Sequence, residues 1–269
     1  YGTVTGVQTC ALPICVFNRT PFLRKLFYFL LDVLLLRSWH IRSELRKLNV
    51  NGVKNILDAG SGFGQYSFWM AKKFSQAEIL AVDVKEEQIA DCNQFFSQVG
   101  KNQVKFEVGD LVTFVQPEKF DLVLCVDVME HIEEDVQVLT NYCNSLKAGG
   151  MLLISTPSNM GGSDVHDDGE TSFIEEHVRD GYGIDEIEEK CKRAGFTKVE
   201  ARYSYGAPGK ISWKLSMKYP MLMLNKSKAF FIVLPIYYLV TMPFSLVLNV
   251  FDVKGAHSTG TGLIVKAWK

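Results

Sequence analysis

The chain has 269 residues, enough for one medium-sized domain with additions, and its formal net charge is −1. It lacks the positive charge typical of nucleic-acid-binding proteins, so we expect no nucleic-acid partner. The six cysteines show neither a C-x-x-C pair nor a Cys/His cluster, which disfavours a metal site and favours a reduced cytoplasmic protein.

The chain begins with Tyr1, and residues 4–14 resemble the translation of a DNA-sequencing adapter. We therefore expect residues 1–15 to be an assembly artefact that has no part in the fold. Residues 16–48 predict amphipathic helices, since Arg24, Lys25 and Asp32 interrupt a Phe- and Leu-rich surface. These charges disfavour a membrane span and indicate helices that lie in a membrane interface or cover the domain.

Three alternating glycines follow the first predicted strand. Ile56 and Leu57 belong to a short apolar run that ends in Asp58, and a helical pattern begins near residue 66. The residues between form the glycine loop (residues 60–64). Glycine admits left-handed backbone and lets a ligand lie against the main chain, beside the free N–H groups of the helix. Dinucleotide folds use G-x-G-x-x-G, whereas the spacing here is D-x-G-x-G-x-G.

Further acids end the following predicted strands. Asp83 ends an apolar run, where a carboxylate can accept hydrogen bonds from ribose hydroxyls; capping the next helix is the alternative role. Asp110 and Asp127 end the third and fourth runs. Alternating strands and helices predict a parallel sheet that binds its ligand at the carboxyl ends of the strands, where these acids lie.

Three more segments make the pattern specific: F-D-x-V at 120–123, E-H-I at 130–132 and L-K-x-G-G-x-L at 146–152. With the glycine loop they resemble the class I S-adenosylmethionine (SAM) dependent methyltransferases over residues 49–205, nearest the type 11/12 small-molecule group. The resemblance implies an α/β fold with a doubly wound, seven-stranded sheet in the order 3-2-1-4-5-7-6, with strand 7 antiparallel. It also implies SAM as the cofactor, held by Asp58, Gly60, Gly62, Gly64, Asp83, Val84, Gly109, Asp110, Leu111, Asp127 and Val128.

Methyl transfer from a sulfonium depends mainly on orientation and exclusion of water, but an oxygen acceptor of high pKa also needs a base. His131 and His177 are the candidates, and the alternative is that the Glu130–His131 pair is structural. We expect no metal. Arg179 and Tyr182, with His166 and His177, are candidates for an acceptor-binding wall; in the alternative, this segment is a solvated lid in which Arg179 caps or pairs.

Residues 206–253 predict an apolar helical insertion, and residues 254–269 the final strand of the core. Residues 229–251 carry no charge and are long enough to span a bilayer, but the final strand must return to the sheet. Pro235 and Pro243 divide the run. We expect paired helices that dip into the membrane interface or cover the active-site mouth, flanked by lysines that suit anionic headgroups. The alternative is a dimer interface or a lid over the substrate.

These patterns favour a methyltransferase at the inner face of the cytoplasmic membrane, in contact with lipid through residues 16–36 and 210–251. Its acceptor would be lipophilic or lipid-linked, such as a quinone precursor or a polyprenyl-linked sugar, and O- or C-methylated. Two alternatives stay open: a methyltransferase of a soluble sugar or metabolite, and a non-catalytic module that binds SAM or a membrane.

Overall fold

One seven-stranded sheet, in the order β3-β2-β1-β4-β5-β7-β6, organises the chain. The computed structural model describes residues 20–161 and 178–269. Neighbouring strands are parallel except around β7, which runs antiparallel to β5 and β6. This order confirms the expected fold. The strands are β1 Asn55–Ala59, β2 Glu78–Asp83, β3 Val104–Val108, β4 Phe120–Val126, β5 Leu146–Pro157, β6 Lys198–Ser204 and β7 Gly262–Trp268.

Helices cover both faces of the sheet and continue beyond the carboxyl end of β6. Short 3₁₀ segments occur at Met129–His131 and Lys228–Ile232, and a π segment at Lys214–Lys218. The described α-helices are α1 Pro21–Leu34, α2 Leu36–Arg46, α3 Gln65–Lys73, α4 Glu86–Gln98, α5 Asp135–Ser145, α6 Ile184–Arg193, α7 Ala207–Trp213, α8 Tyr219–Lys226 and α9 Leu234–Lys254.

The central strands are buried on both faces, which explains their nearly continuous apolar runs. In β1, Leu57 belongs to the core layer that also holds residues of α5 and α6. Its neighbour Ile56 belongs to the other layer, which holds residues of α2, α3 and α4. Successive side chains point to opposite faces, so each central strand contributes to both layers.

The insertion forms a helical hairpin, defined as α7, the π segment and α8 as one arm and α9 as the other. It leaves the sheet after β6 and returns before β7. Near its base, Asp252 of α9 accepts hydrogen bonds from the backbone N–H groups of Tyr205 (3.0 Å) and Gly209 (2.9 Å). His40 Nε2 of α2 lies 2.8 Å from the same carboxylate. Asp252 therefore fastens the hairpin to both the sheet edge and the N-terminal helices.

The His40–Asp252 pair is fully buried. Burial lowers the pKa of His40, with a smaller effect of Arg202 in the same direction. Burial alone would raise the pKa of Asp252, but hydrogen bonds from His40 and from the Gly209 N–H oppose it, and the pKa is lowered. Arg202 Nη2 lies 3.3 Å from His40 Nδ1. A neutral imidazole that accepts at Nδ1 and donates at Nε2 satisfies both contacts.

Candidate active site

All three glycines of the glycine loop have left-handed backbone, with φ of 74°, 48° and 74°. A Cβ on Gly60 would lie 2.2 Å from Val128, and one on Gly64 would lie 2.9 Å from the ring of Phe106. At Gly62 a Cβ would meet nothing within 4 Å. Close packing thus accounts for the outer two glycines, whereas the middle one faces open space where a ligand can approach the main chain.

The tips of three parallel strands meet beside this loop. The Asp83 carboxylate accepts a hydrogen bond from the Gly62 N–H at 2.9 Å, and the Gly60 N–H donates to Val82 O at 2.8 Å. The Gly109 N–H donates to the main-chain oxygen of Asp83 at 3.1 Å. The glycine loop, Asp83 and the Gly109–Asp110 turn therefore share one rim of the sheet, as the sequence predicted.

The remaining predicted contacts at this rim differ in exposure. Val84 is 61% exposed and leaves an apolar surface next to Asp83. Asp110 is also exposed, although its Oδ1 accepts from the Val112 N–H at 2.9 Å. The Leu111 side chain is buried in the core, so only its main chain is placed to meet a ligand.

Asp58 lies near the end of β1, but the residue is buried, with 2% of its surface exposed. Ser67 Oγ of α3 donates to it at 2.5 Å. Burial raises the pKa of Asp58 to about 6, against the opposing effect of the Ser67 hydrogen bonds. In this conformation Asp58 ties α3 to β1 and so supports the glycine loop; its direct contact with a cofactor stays a prediction.

Asp127 follows β4 with φ 51°, one of three described non-glycine residues with a left-handed backbone. Such conformations cost of order 1–3 kcal/mol and cluster at functional sites. Its N–H donates to Ser155 O at 2.8 Å, and its carboxylate pairs with Arg37 of α2. The Arg37 N–H in turn donates to the Tyr205 hydroxyl at 2.9 Å. Arg37 thus brings a positive charge to the tip of β4, next to Val128.

The N-terminal helix α1 also holds the glycine loop. Arg24 is buried, and its Nη2 donates to Phe63 O at 3.1 Å. The Tyr28 hydroxyl donates to the same oxygen. No motif in the sequence assigns Arg24, Tyr28 or Arg37 to the site. The one sequence feature that could have pointed to Arg24 is a charge within an otherwise apolar helical segment.

His131 ends the 3₁₀ turn after β4, and its N–H donates to Val128 O at 3.0 Å. The turn therefore keeps this exposed residue next to the tip of β4, and its role as a base stays a prediction. The Glu130 side chain is instead buried, and burial raises the pKa of its carboxyl group. His177 and His166 lie outside the described residues, as do residues 1–15.

Arg179 and Tyr182 are both engaged by Asp135 of α5. Arg179 Nη1 lies 2.5 Å from this carboxylate, and the Tyr182 hydroxyl donates to it at 3.0 Å. Arg179 Nη2 also donates to Ile132 O at 2.8 Å. These contacts favour the alternative in which Arg179 pairs and fastens the segment, and they leave the acceptor-binding role of the wall without support from the described residues.

A nucleoside cofactor suits the rim. The free space at Gly62 lies beside the Asp83 carboxylate, and the apolar surface of Val84 adjoins it. A carboxylate suits ribose hydroxyls and an apolar surface suits a base, while Arg37 offers a charge for a carboxylate. SAM, the cofactor that the resemblance implies, would supply an electrophilic methyl group from its sulfonium at this rim.

Comparison with known proteins agrees with this geometry. The sequence model of a methyltransferase domain matches residues 51–203, which is more than half of the chain. Phosphoethanolamine N-methyltransferase 1 of Zea mays is 28% identical over 159 residues, which cover 58% of this chain and 31% of the relative. A ubiquinone biosynthesis O-methyltransferase of Idiomarina loihiensis is 29% identical over 105 residues, covering 38% of this chain and 42% of that protein.

A solved structure shares the fold. It is the phosphoethanolamine N-methyltransferase 2 of Haemonchus contortus, in complex with phosphomonomethylethanolamine and S-adenosylhomocysteine. Its TM-score is 0.60 at 17% identity, covering 90% of this chain and 56% of the other. The matched region spans less than half the length of both curated relatives named above.

Proposed function

The chain belongs to the class I SAM-dependent methyltransferases, and we propose that it methylates a lipophilic or lipid-linked small molecule at the inner face of the cytoplasmic membrane. The observation that carries the proposal is an apolar surface left exposed on the helical hairpin. The acceptors in the relatives' names, phosphoethanolamine and a compound of ubiquinone biosynthesis, agree with a small-molecule acceptor.

One face of α9 is apolar and exposed over most of its length. Its members recur three or four positions apart and so lie on one side of the helix. We call them the α9 stripe: Ile236, Leu239, Val240, Phe244, Val247, Val250 and Phe251, which are 39–78% exposed. At the hairpin tip Ile232 is 81% exposed. Contiguous apolar surface of this kind marks a membrane or protein contact.

The charges around the hairpin favour a membrane as the contact. Five lysines lie between residues 206 and 251, and no acid does. Lys226 and Lys228 flank the tip and are exposed. Lysines beside an apolar face attract the anionic headgroups of the cytoplasmic leaflet, each worth about 1 kcal/mol near the surface.

The second arm of the hairpin satisfies backbone carbonyl groups that the irregular first arm leaves free. Pro220 has no N–H to donate to Ser216 O, and the π segment redirects the Tyr219 N–H from Leu215 O to Lys214 O. Two tyrosine hydroxyls of α9 fill these places: Tyr237 donates to Leu215 O at 2.8 Å and Tyr238 donates to Ser216 O at 2.9 Å. Internal partners of this kind are required where lipid replaces water.

By length and composition, α9 is the one helix of the described residues that could cross a membrane. However, β6 and β7 are neighbours in one sheet, so the hairpin leaves and returns on the same side. A single crossing is therefore incompatible with the fold. We favour a hairpin that lies in the membrane interface and places the adjacent active site at the lipid surface.

Vesicle flotation and methyl transfer test the proposal. The protein should float with anionic vesicles and, with radiolabelled SAM, transfer label into the organic phase of a lipid extract. Leu239→Ser should weaken vesicle binding about tenfold, because burying a leucine contributes about 1.5 kcal/mol or more. Val115→Ser, which alters a 43% exposed valine away from the hairpin, should not change it.

Two results would contradict the proposal. A protein that stays in solution and dimerises through the α9 stripe, with label only in the aqueous phase, acts on a soluble metabolite. Binding of SAM without transfer to any extract would indicate a non-catalytic module.

A further inference from the structure

A cavity of about 420 Å³ lies on the outside of the N-terminal helices, between α1, α2 and the end of α9. We call it the outer groove. Its apolar wall includes Phe29, Val33 and Val250, and its polar wall includes Arg46 and Lys254. It combines an apolar surface with cations at the point where three helices meet.

The outer groove is separate from the active site. Trp39, Arg42 and Arg46 line it and lie three or four positions apart on α2, so they share one face of that helix. Arg37, which meets Asp127, projects from the opposite face at the helical repeat of 100° per residue. The two faces of α2 thus serve two different sites.

The outer groove carries a net positive charge. Arg42 pairs with Asp32, which also lines the groove, so these two charges cancel. Arg46 and Lys254 are exposed and have no ion-pair partner within residues 20–161 and 178–269. These two unpaired charges suit an anionic oxygen ligand.

Two exposed apolar stripes run into the outer groove. Phe29 is 59% exposed and belongs to a stripe of α1 that also contains Phe22, Leu26 and Leu30. Val250 is 39% exposed and belongs to the α9 stripe. The groove therefore lies where the apolar surfaces of α1 and α9 meet, with cations at its edge. An anionic amphiphile has the complementary arrangement, with a negatively charged head next to apolar chains.

We infer that the outer groove binds the phosphodiester headgroup of an anionic phospholipid, whose acyl chains lie along the α1 and α9 stripes. Arg46 and Lys254 contact the headgroup, and Trp39 forms part of the groove wall. The inference rests on the membrane contact in the proposed function, but it assigns selectivity for anionic lipid to residues outside the hairpin arms. The site would orient the enzyme on the membrane without touching the acceptor.

Titration with a short-chain lipid below its micelle concentration tests the site without a membrane. Dihexanoyl phosphatidylglycerol should change the fluorescence of the full-length protein saturably, and Trp39→Phe should remove most of that change. Dihexanoyl phosphatidylcholine and inorganic phosphate should bind at least tenfold more weakly. The double variant Arg46→Gln/Lys254→Gln should lose about 25-fold in affinity, at about fivefold for each charge.

The matched control is Arg193→Gln/Lys105→Gln, which removes the same charges from exposed positions on α6 and β3 and should bind like the wild type. Equal binding of both lipids, stronger binding of inorganic phosphate, or an unchanged Arg46→Gln/Lys254→Gln variant would overturn the inference. Vesicle flotation distinguishes failure of the outer-groove inference from failure of the proposed function. If the hairpin docks and the groove does not bind, the double variant still floats with anionic vesicles as the wild type does.

Discussion

Gly62→Ala should weaken cofactor binding while leaving the fold intact. Gly62 has φ 48°, and a Cβ there would meet no protein atom within 4 Å. The stability cost is therefore that of left-handed backbone alone, about 1–2 kcal/mol. A methyl group forced against a bound cofactor adds an overpacking cost of about 1–3 kcal/mol, which corresponds to about 5- to 150-fold weaker SAM binding.

The chain offers a matched control for this variant. Gly100 has φ 66° and likewise meets nothing within 4 Å, but it lies in the turn between α4 and β3. Gly100→Ala should lose the same stability and bind SAM normally. Urea unfolding measures the first quantity, and isothermal titration with SAM or S-adenosylhomocysteine measures the second.

If Gly62→Ala binds SAM as tightly as the wild type, the loop does not approach the cofactor and the predicted contact is refuted. The contact is also refuted if Gly100→Ala loses affinity to the same extent. That result would mean that strain, rather than contact, weakens binding.

Three further predictions concern the charged groups Asp58, Asp252 and Arg37. Burial raises the pKa of Asp58 from 3.8 to about 6. Its contribution to the free energy of unfolding is therefore complete below about pH 4, and about 3 kcal/mol is lost as the pH rises through 6. Asp58→Asn should abolish this decrease in urea unfolding measured from pH 4 to 7; the same pH dependence in the variant and the wild type would refute the prediction. Asp252→Ala leaves buried donors unpaired and should lower the free energy of unfolding by about 3–5 kcal/mol, whereas the exposed control Glu189→Gln should change it by less than about 0.5 kcal/mol. Arg37→Gln should change the free energy of unfolding by less than about 1 kcal/mol, because the pair with Asp127 is partly exposed. The variant should nevertheless bind SAM more weakly or turn over more slowly. If its activity equals that of the wild type at both saturating and limiting SAM, the Arg37 charge serves neither binding nor turnover.

The core strands and the helix after the glycine loop could be predicted from local sequence pattern. Apolar runs ending in Asp58, Asp83 and Asp127 predicted parallel strands, and alternating glycines predicted the turn and the start of α3. Both are short-range properties, because burial on two faces makes a strand apolar throughout and left-handed backbone needs glycine. The strand order itself came from resemblance to a family, since pattern alone does not say which strands are neighbours.

Contacts between side chains that are far apart in the sequence could not be predicted from local pattern. The sequence placed Arg179 and Tyr182 on the acceptor side, but both contact Asp135, more than forty positions earlier. Arg24 interrupted an apolar helix for no evident reason until α1 was seen to pack against the main chain of Phe63. The hydrophobic periodicity of the sequence carries no information about such a contact.

The sequence by itself determined a SAM-dependent methyltransferase core, with acids at the carboxyl ends of its strands and an apolar insertion before β7. Tertiary structure alone decided that Asp58 turns to Ser67, that α2 brings Arg37 to Asp127, and that the stripes of α1 and α9 meet at one groove. The physical reason is that backbone conformation and burial depend on neighbours along the chain, whereas the direction of a charged side chain depends on which donors and acceptors folding brings within hydrogen-bond distance.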